Sequence, residues 1–61
     1  MKELIYEFLK EWEGYFTASE IHSEFSNISL NYTKSICRQL TNEGRVKKWW
    51  FRDRWLYRYL S

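Results

Sequence analysis

Residues 29–46 read SLNYTKSICRQLTNEGRV and contain a complete helical pattern with its own start and stop signals. Apolar or small side chains recur at three- and four-residue spacing, which gathers them on one stripe of a helix. They are Leu30, Thr33, Ile36, Cys37 and Leu40. Ser29 is suited to cap the N-terminus, and Gly44 to end the helix in the left-handed conformation. We therefore expect a third helix over about 30–43 that lies with one face in a core, followed by a strand from Val46.

Two further helices are predicted before this stretch. Residues 1–12 form an amphipathic pattern, with Leu4, Ile5, Phe8, Leu9 and Trp12 on one face. Gly14 is expected to break this first helix. The sequence TASE at 17–20 matches a capping box, in which Thr17 caps the helix and Glu20 reaches back to it. This signal predicts a second helix over about 18–25.

The pattern after Gly44 changes to extended chain and predicts a β-hairpin over about 45–60. Two runs rich in aromatic and branched residues, 46–51 and 55–60, flank Arg52-Asp53-Arg54. A three-residue loop would set Phe51 opposite Trp55, whereas a two-residue loop shifts the register and changes which residues share a face. The sequence leaves both registers open, and we expect Val46 and Leu60 to lie in the core.

Length and composition favour one small globular domain over residues 1–61. The chain is 44% hydrophobic and 30% charged, and its apolar runs are far shorter than the roughly 20 residues that cross a bilayer. A cytoplasmic location without membrane contact is expected. A single cysteine, Cys37, and a single histidine, His22, exclude an internal disulfide and a zinc site built from these residue types alone. We predict no catalytic residues, no metal, no cofactor and no small-molecule ligand.

The charge is unevenly distributed along the chain. Residues 1–27 hold six Glu and two Lys, whereas residues 44–61 hold six Lys or Arg and one Asp. A positive field concentrated on one part of a small domain is typical of proteins that bind nucleic acid or another polyanion.

These segments together resemble the winged helix-turn-helix domains found in small MarR-like and ArsR-like regulators and in many replication proteins. The resemblance rests on TASEI at 17–21, on the whole of 29–46 and on the basic hairpin. Thr33 and Cys37 stand where such helices usually carry Val or Leu, and Arg45 stands where an apolar residue often follows the glycine. The resemblance implies an α+β fold in which helix 3 is the recognition helix and the hairpin is the wing.

Double-stranded DNA is therefore the predicted partner, bound in a sequence-dependent way by a small transcriptional regulator or a mobile-element accessory factor. Candidates for reading base edges in the major groove lie on the outward face of helix 3: Asn31, Tyr32, Ser35 and Arg38. Candidates for holding the DNA backbone are Ser29, Lys34, Arg45, Lys47, Lys48, Arg52 and Arg54. The alternative for each side chain is a solvated surface position, or, on the hairpin, a charge that prevents strand aggregation.

The hairpin carries more aromatic rings than one face of a small core can bury. Exposed rings can stack on unpaired bases or wedge a duplex end, and covered ones can form a protein interface. A single-strand or duplex-end binder and a protein-interaction winged helix are therefore the alternative functions. We also expect a homodimer, whose interface candidates are Trp12, Trp49, Trp55 and Tyr57.

Overall fold

The computed structural model describes residues 1–60 as three helices followed by a β-hairpin, which confirms the predicted fold class. The elements are α1 (Lys2–Trp12), α2 (Ala18–Glu24), α3 (Leu30–Asn42), β1 (Val46–Phe51) and β2 (Arg54–Tyr59). The two strands pair in an antiparallel sheet. No helix within residues 1–60 has the length and apolar character needed to cross a membrane.

The signals that begin α2 and begin and end α3 are formed as the sequence predicts. Thr17 Oγ1 accepts a hydrogen bond from the Glu20 backbone N–H (3.2 Å), and Glu20 Oε1 accepts one from the Thr17 N–H (2.8 Å). Ser29 Oγ accepts from the Tyr32 N–H (3.0 Å). Gly44 has a φ of 77°, the left-handed conformation that favours glycine.

Helix α1 ends at Trp12, as predicted, but the residue that ends it is Glu13 and not Gly14. Glu13 takes the left-handed conformation, with φ 49° and ψ 38°, and its N–H donates to the Leu9 carbonyl (3.1 Å). Gly14 follows this turn and does not provide the positive φ. The prediction that Gly14 breaks the helix was therefore wrong by one position.

One hydrophobic core lies between the three helices and one face of the hairpin. Its fully buried side chains come from every helix and from β1, and the largest are Ile5, Leu9, Ile21, Ile36, Leu40 and Val46. Thr33 is also fully buried, and its Oγ1 donates to the Ser29 carbonyl (3.1 Å), so its hydroxyl is satisfied. The predicted stripe of α3 is thus its inward face, which orients the opposite face toward solvent.

A two-residue loop, Arg52-Asp53, connects the strands, so the three-residue alternative was wrong. Phe51 pairs with Arg54, Trp50 with Trp55, and Trp49 with Leu56. Side chains alternate along a strand, and the hairpin therefore has a helix-facing side and an outer side. The helix-facing side carries Val46, Lys48, Trp50, Trp55, Tyr57 and Tyr59; the outer side carries Lys47, Trp49, Phe51, Arg54, Leu56 and Arg58.

The core positions of the hairpin are Val46 and Tyr57 rather than Val46 and Leu60. Tyr57 is only 8% exposed, and its backbone exchanges two hydrogen bonds with Phe16 (Phe16 N to Tyr57 O 3.0 Å, Tyr57 N to Phe16 O 2.8 Å). Leu60 is 40% exposed, because Tyr59 faces the helices and the next residue points away.

The capping box of α2 gives a stability prediction. Thr17→Ala removes the side-chain acceptor of the Glu20 N–H, and we expect a loss of about 1 kcal/mol. For a domain of this size that corresponds to a drop in Tm of roughly 4–8 °C, measurable by circular dichroism.

Ser19→Ala in the first turn of α2 is the matched control. Ser19 is exposed, and a surface substitution of this kind changes stability by no more than about 0.5 kcal/mol. Equal melting temperatures for the two variants would show that the box contributes nothing.

Candidate nucleic-acid interface

The outward face of α3 presents polar and basic side chains along about 20 Å, since 13 residues rise about 1.5 Å each. Asn31, Tyr32, Lys34 and Arg38 are exposed, and Ser35 is half-buried. The ion pairs found among residues 1–60 involve neither Lys34 nor Arg38. The four predicted base-reading candidates therefore lie on one helix face, with Ser35 the least accessible.

Ser29, predicted as a backbone contact, already has a structural role. Its Oγ caps α3 through the Tyr32 N–H, and its carbonyl accepts from the Thr33 side chain. The residue is exposed at the N-terminus of α3, where the helix dipole and free N–H groups favour anions.

Arg45 lies in an intramolecular charge network that sequence reasoning missed. Its guanidinium donates to Glu3 Oε1 (2.7 Å) and Oε2 (2.9 Å) and to Glu43 Oε1 (3.3 Å), and lies 4.0 Å from the centroid of the Tyr6 ring. Lys2 Nζ pairs with Glu43 Oε2 (2.6 Å). The charge of Arg45 is thus compensated within the chain, which makes it a weak candidate for phosphate.

The pKa values of these carboxyl groups reflect the network. The hydrogen bond from Arg45 lowers the pKa of Glu3, and the hydrogen bond from Lys2, followed by that from Arg45, lowers the pKa of Glu43. The same carboxylates raise the pKa of Arg45. No local signal predicts this arrangement, because Glu3 and Arg45 are separated by 42 positions in the chain.

The basic side chains of the hairpin are exposed, and most lie close to aromatic rings. Lys48 Nζ is 4.6 Å from the centroid of the Trp55 ring, Lys47 Nζ is 5.7 Å from that of Trp49, and the Arg52 guanidinium is 5.3 Å from that of Phe51. Arg54 Nε donates to Asp53 Oδ1 (3.3 Å) at the exposed loop. These cations are divided between the two sides of the hairpin.

Arg38 and Lys48 lie on α3 and β1, two elements that pack against each other. Burial raises the pKa of Tyr57, the nearby Cys37 thiol raises it further, and the positive charge of Arg38 opposes both. Arg38 is exposed on α3, and α3 packs against β1. Lys48 is exposed on β1 and is the cross-strand partner of Tyr57 on the helix-facing side of the hairpin.

The four residues predicted to form a homodimer interface do not lie on a single surface. Tyr57 is buried in the chain's own core, so its ring cannot contact a partner. Trp49 is half-buried beneath Tyr15, with ring centroids 4.4 Å apart, and lies on the outer side, whereas Trp55 lies on the helix-facing side. Trp12 is 64% exposed at the end of α1.

Cys37 and His22 have structural surroundings. Cys37 is fully buried, and burial raises the pKa of its thiol to about 12, which keeps it protonated and unreactive at neutral pH. His22 Nε2 donates to the Ile28 carbonyl (2.7 Å) and so ties α2 to the turn before α3.

Comparison with known proteins identifies the fold. No protein-family model matches the chain, and no curated protein matches it. A solved structure of HOP2 superposes with a TM-score of 0.89 over 97% of both chains, at 16% sequence identity. The chain has the winged-helix fold. That structure is described as giving insights into the DNA recognition and protein interaction domains of HOP2 and its homologous DNA pairing properties.

Identity at this level establishes shared architecture and no more. The resemblance to MarR-like or ArsR-like regulators gains no support from the comparison. In the winged-helix arrangement α3 is the third helix, and β1 and β2 form the wing.

Proposed function

We propose that the chain binds double-stranded DNA, with α3 in the major groove and the wing on phosphate or in the minor groove. The observation that carries this proposal is the packing of α3, which carries the exposed Arg38, against β1, which carries the exposed Lys48 on its helix-facing side. A recognition helix and a cation on the adjoining wing are the two elements that position a winged helix on a duplex. The description of HOP2 in terms of DNA recognition supports the same function.

Base readout is assigned to the exposed face of α3. Arg38 is suited to a bidentate pair with guanine, and Asn31 to one with adenine. Tyr32 and Ser35 flank these positions, with Tyr32 the more accessible. Side chains able to pair with base edges lie on this exposed face, which supports binding that depends on DNA sequence.

Backbone contacts are assigned to four cations, Lys34, Lys48, Arg52 and Arg54, with Ser29 at the helix N-terminus. Arg45 is left out because two carboxylates already compensate its charge. Lys47 is left out because it lies on the outer side near the base of the wing, whereas Arg54, also on the outer side, flanks the exposed loop at the tip.

A non-enzymatic role follows from this assignment. We propose a small transcriptional regulator or a mobile-element accessory factor, which acts by occupying DNA. The buried thiol of Cys37, with its raised pKa, is consistent with a protein that has no nucleophilic chemistry.

One observation favours a second candidate, the binding of unpaired strands or duplex ends. Trp50 and Trp55 are exposed on the helix-facing side, with ring centroids 5.2 Å apart at an interplanar angle of 69°. Exposed indole rings beside cations can stack on bases. Titration with single-stranded DNA beside a closed duplex distinguishes the two: tighter binding to the single strand would favour this candidate.

The four cations give a salt-dependence prediction. Each neutralised phosphate contributes about −0.9 to the slope of log affinity against log salt, so we expect a slope of about −3.6 for duplex DNA. Fluorescence anisotropy between 50 and 200 mM salt measures it. Arg52→Ala should lower the magnitude of the slope by about 0.9.

Lys10→Ala is the matched control, since Lys10 is exposed on α1 and outside the assigned surface; its slope should equal that of the wild type. A wild-type slope near zero would contradict DNA binding.

The division between readout and backbone contact gives a third prediction. A duplex is first selected from a random pool by the wild-type protein. Arg38→Ala should cost about 1–3 kcal/mol on the selected duplex and much less on a scrambled one, because a base contact carries the sequence information. Lys48→Ala should weaken both duplexes alike. Equal losses on both duplexes for Arg38→Ala would remove Arg38 from the readout.

Homodimerisation stays a prediction, and its expected effect is to increase selectivity for a DNA sequence. A single module buries about 600 to 1,000 Å² on DNA and reads a short half-site, so two copies would give the selectivity that one lacks. Of the four candidates, Trp12 and Trp55 are the exposed ones. Sedimentation at micromolar concentration with saturating duplex should show two copies per site; one copy, free and bound, would exclude the dimer.

A further inference from the structure

The outer side of the wing contains an apolar groove that the DNA assignment does not use. It has a volume of about 300 Å³ and is lined by Tyr15, Trp49, Phe51 and Leu56. Trp49 and Leu56 form a cross-strand pair, and Phe51 follows on the same side. Tyr15 precedes the Phe16 bridge and packs edge-on against Trp49. The groove therefore lies on the side of the sheet opposite the helices.

The rim of this groove is positively charged. Arg58 donates to the Tyr15 hydroxyl (3.3 Å) and lies 5.3 Å from the centroid of its ring. Lys47 and Arg52 lie similarly near Trp49 and Phe51. The ion pairs found among residues 1–60 include none of these three cations. The groove thus combines an apolar floor with uncompensated positive charge.

This charge distribution selects one kind of occupant. A symmetric dimer through the groove would place the same cations opposite each other, which disfavours a second copy. Stacked bases need exposed ring faces, and Trp49 at the floor of the groove is half-buried beneath Tyr15, with ring centroids 4.4 Å apart. A peptide that brings carboxylates to the rim and one or two bulky apolar side chains to the floor satisfies both features.

We propose that this groove is a docking site for an acidic segment of a partner protein that carries a bulky apolar side chain. The site goes beyond DNA binding and does not depend on it, because α3 is on the other side of the sheet. The two surfaces meet only at the tip of the wing, at Arg52 and Arg54, so the peptide and DNA can be bound by one chain.

The test uses fluorescein-labelled synthetic peptides and fluorescence polarisation. The acidic apolar peptide DEEDLFDEED should bind the wild-type chain, and its affinity should fall as salt rises from 50 to 500 mM, because salt screens exposed charges. The analogue with serines in place of LF and the neutral analogue NQQNLFNQQN should each bind at least about tenfold more weakly, since each removes one half of the recognition.

Matched variants locate the site. Tyr15 and Tyr32 are both 48% exposed, one in the groove and one on α3. Tyr15→Ser should weaken peptide binding at least about tenfold, and Tyr32→Ser should leave it unchanged. Phe51→Ser, at the exposed end of the groove, should have the same effect as Tyr15→Ser with little change in melting temperature. Duplex DNA titrated in parallel tests the other function separately.

Three results would overturn the proposal. They are equal binding of the acidic apolar peptide and its serine analogue, equal losses for Tyr15→Ser and Tyr32→Ser, and displacement of the peptide by single-stranded oligothymidine with the same sensitivity to Tyr15→Ser. The last result would assign the groove to unpaired bases. Failure to bind duplex DNA would leave the peptide results intact and would contradict only the DNA proposal.

Discussion

The pairing of Tyr57 with Phe16 controls the register of the wing, and the surfaces described above depend on that register. Two backbone hydrogen bonds join these residues, and the Tyr57 ring is buried beside Cys37. Side chains alternate along a strand. A slip of one residue would therefore bring Leu56 or Arg58 to this position and would move all the remaining side chains of β2 to the opposite side of the sheet. Burial of one tyrosine thus keeps Lys48 toward α3 and the Tyr15 groove on the opposite side.

Features that depend on neighbouring residues could be predicted from the sequence. The caps at Thr17 and Ser29 and the left-handed turn at Gly44 each involve residues within about four positions, and the structure forms all three. The inward stripe of α3 follows from helical periodicity, and its burial places Asn31 and Arg38 on the exposed face. Their contacts with DNA stay predictions, because periodicity shows exposure and not binding.

Features that depend on distant residues or on unusual backbone conformations could not be predicted. The two-residue loop places Arg52 at φ 60°, where glycine or asparagine is usual, so the sequence carried no turn signal. The αL residue at the end of α1 is Glu13 rather than Gly14 for a similar reason. Arg45 was expected to hold phosphate. Nothing in the sequence indicates its carboxylate partner Glu3, which is 42 positions away and reaches Arg45 only through folding. Tyr15 was missed for the same reason, since it lines the groove on the outer side of the wing through its contact with Trp49, a residue distant in sequence.

The charge network around Arg45 explains how an acidic segment and a basic one coexist in so small a domain. Glu3 and Glu43 form ion pairs with Arg45 and Lys2 where α1 meets the α3–β1 turn. Among residues 1–60, the cations of β1 and β2 have no carboxylate partner except Arg54, which pairs with the exposed Asp53. Their fields therefore add along the wing. On the helix-facing side this field adjoins the exposed polar face of α3, and on the outer side it surrounds apolar rings, which supports the two proposed anionic partners. Since the two surfaces meet only at Arg52 and Arg54, each can be altered at its other residues without changing the opposite one.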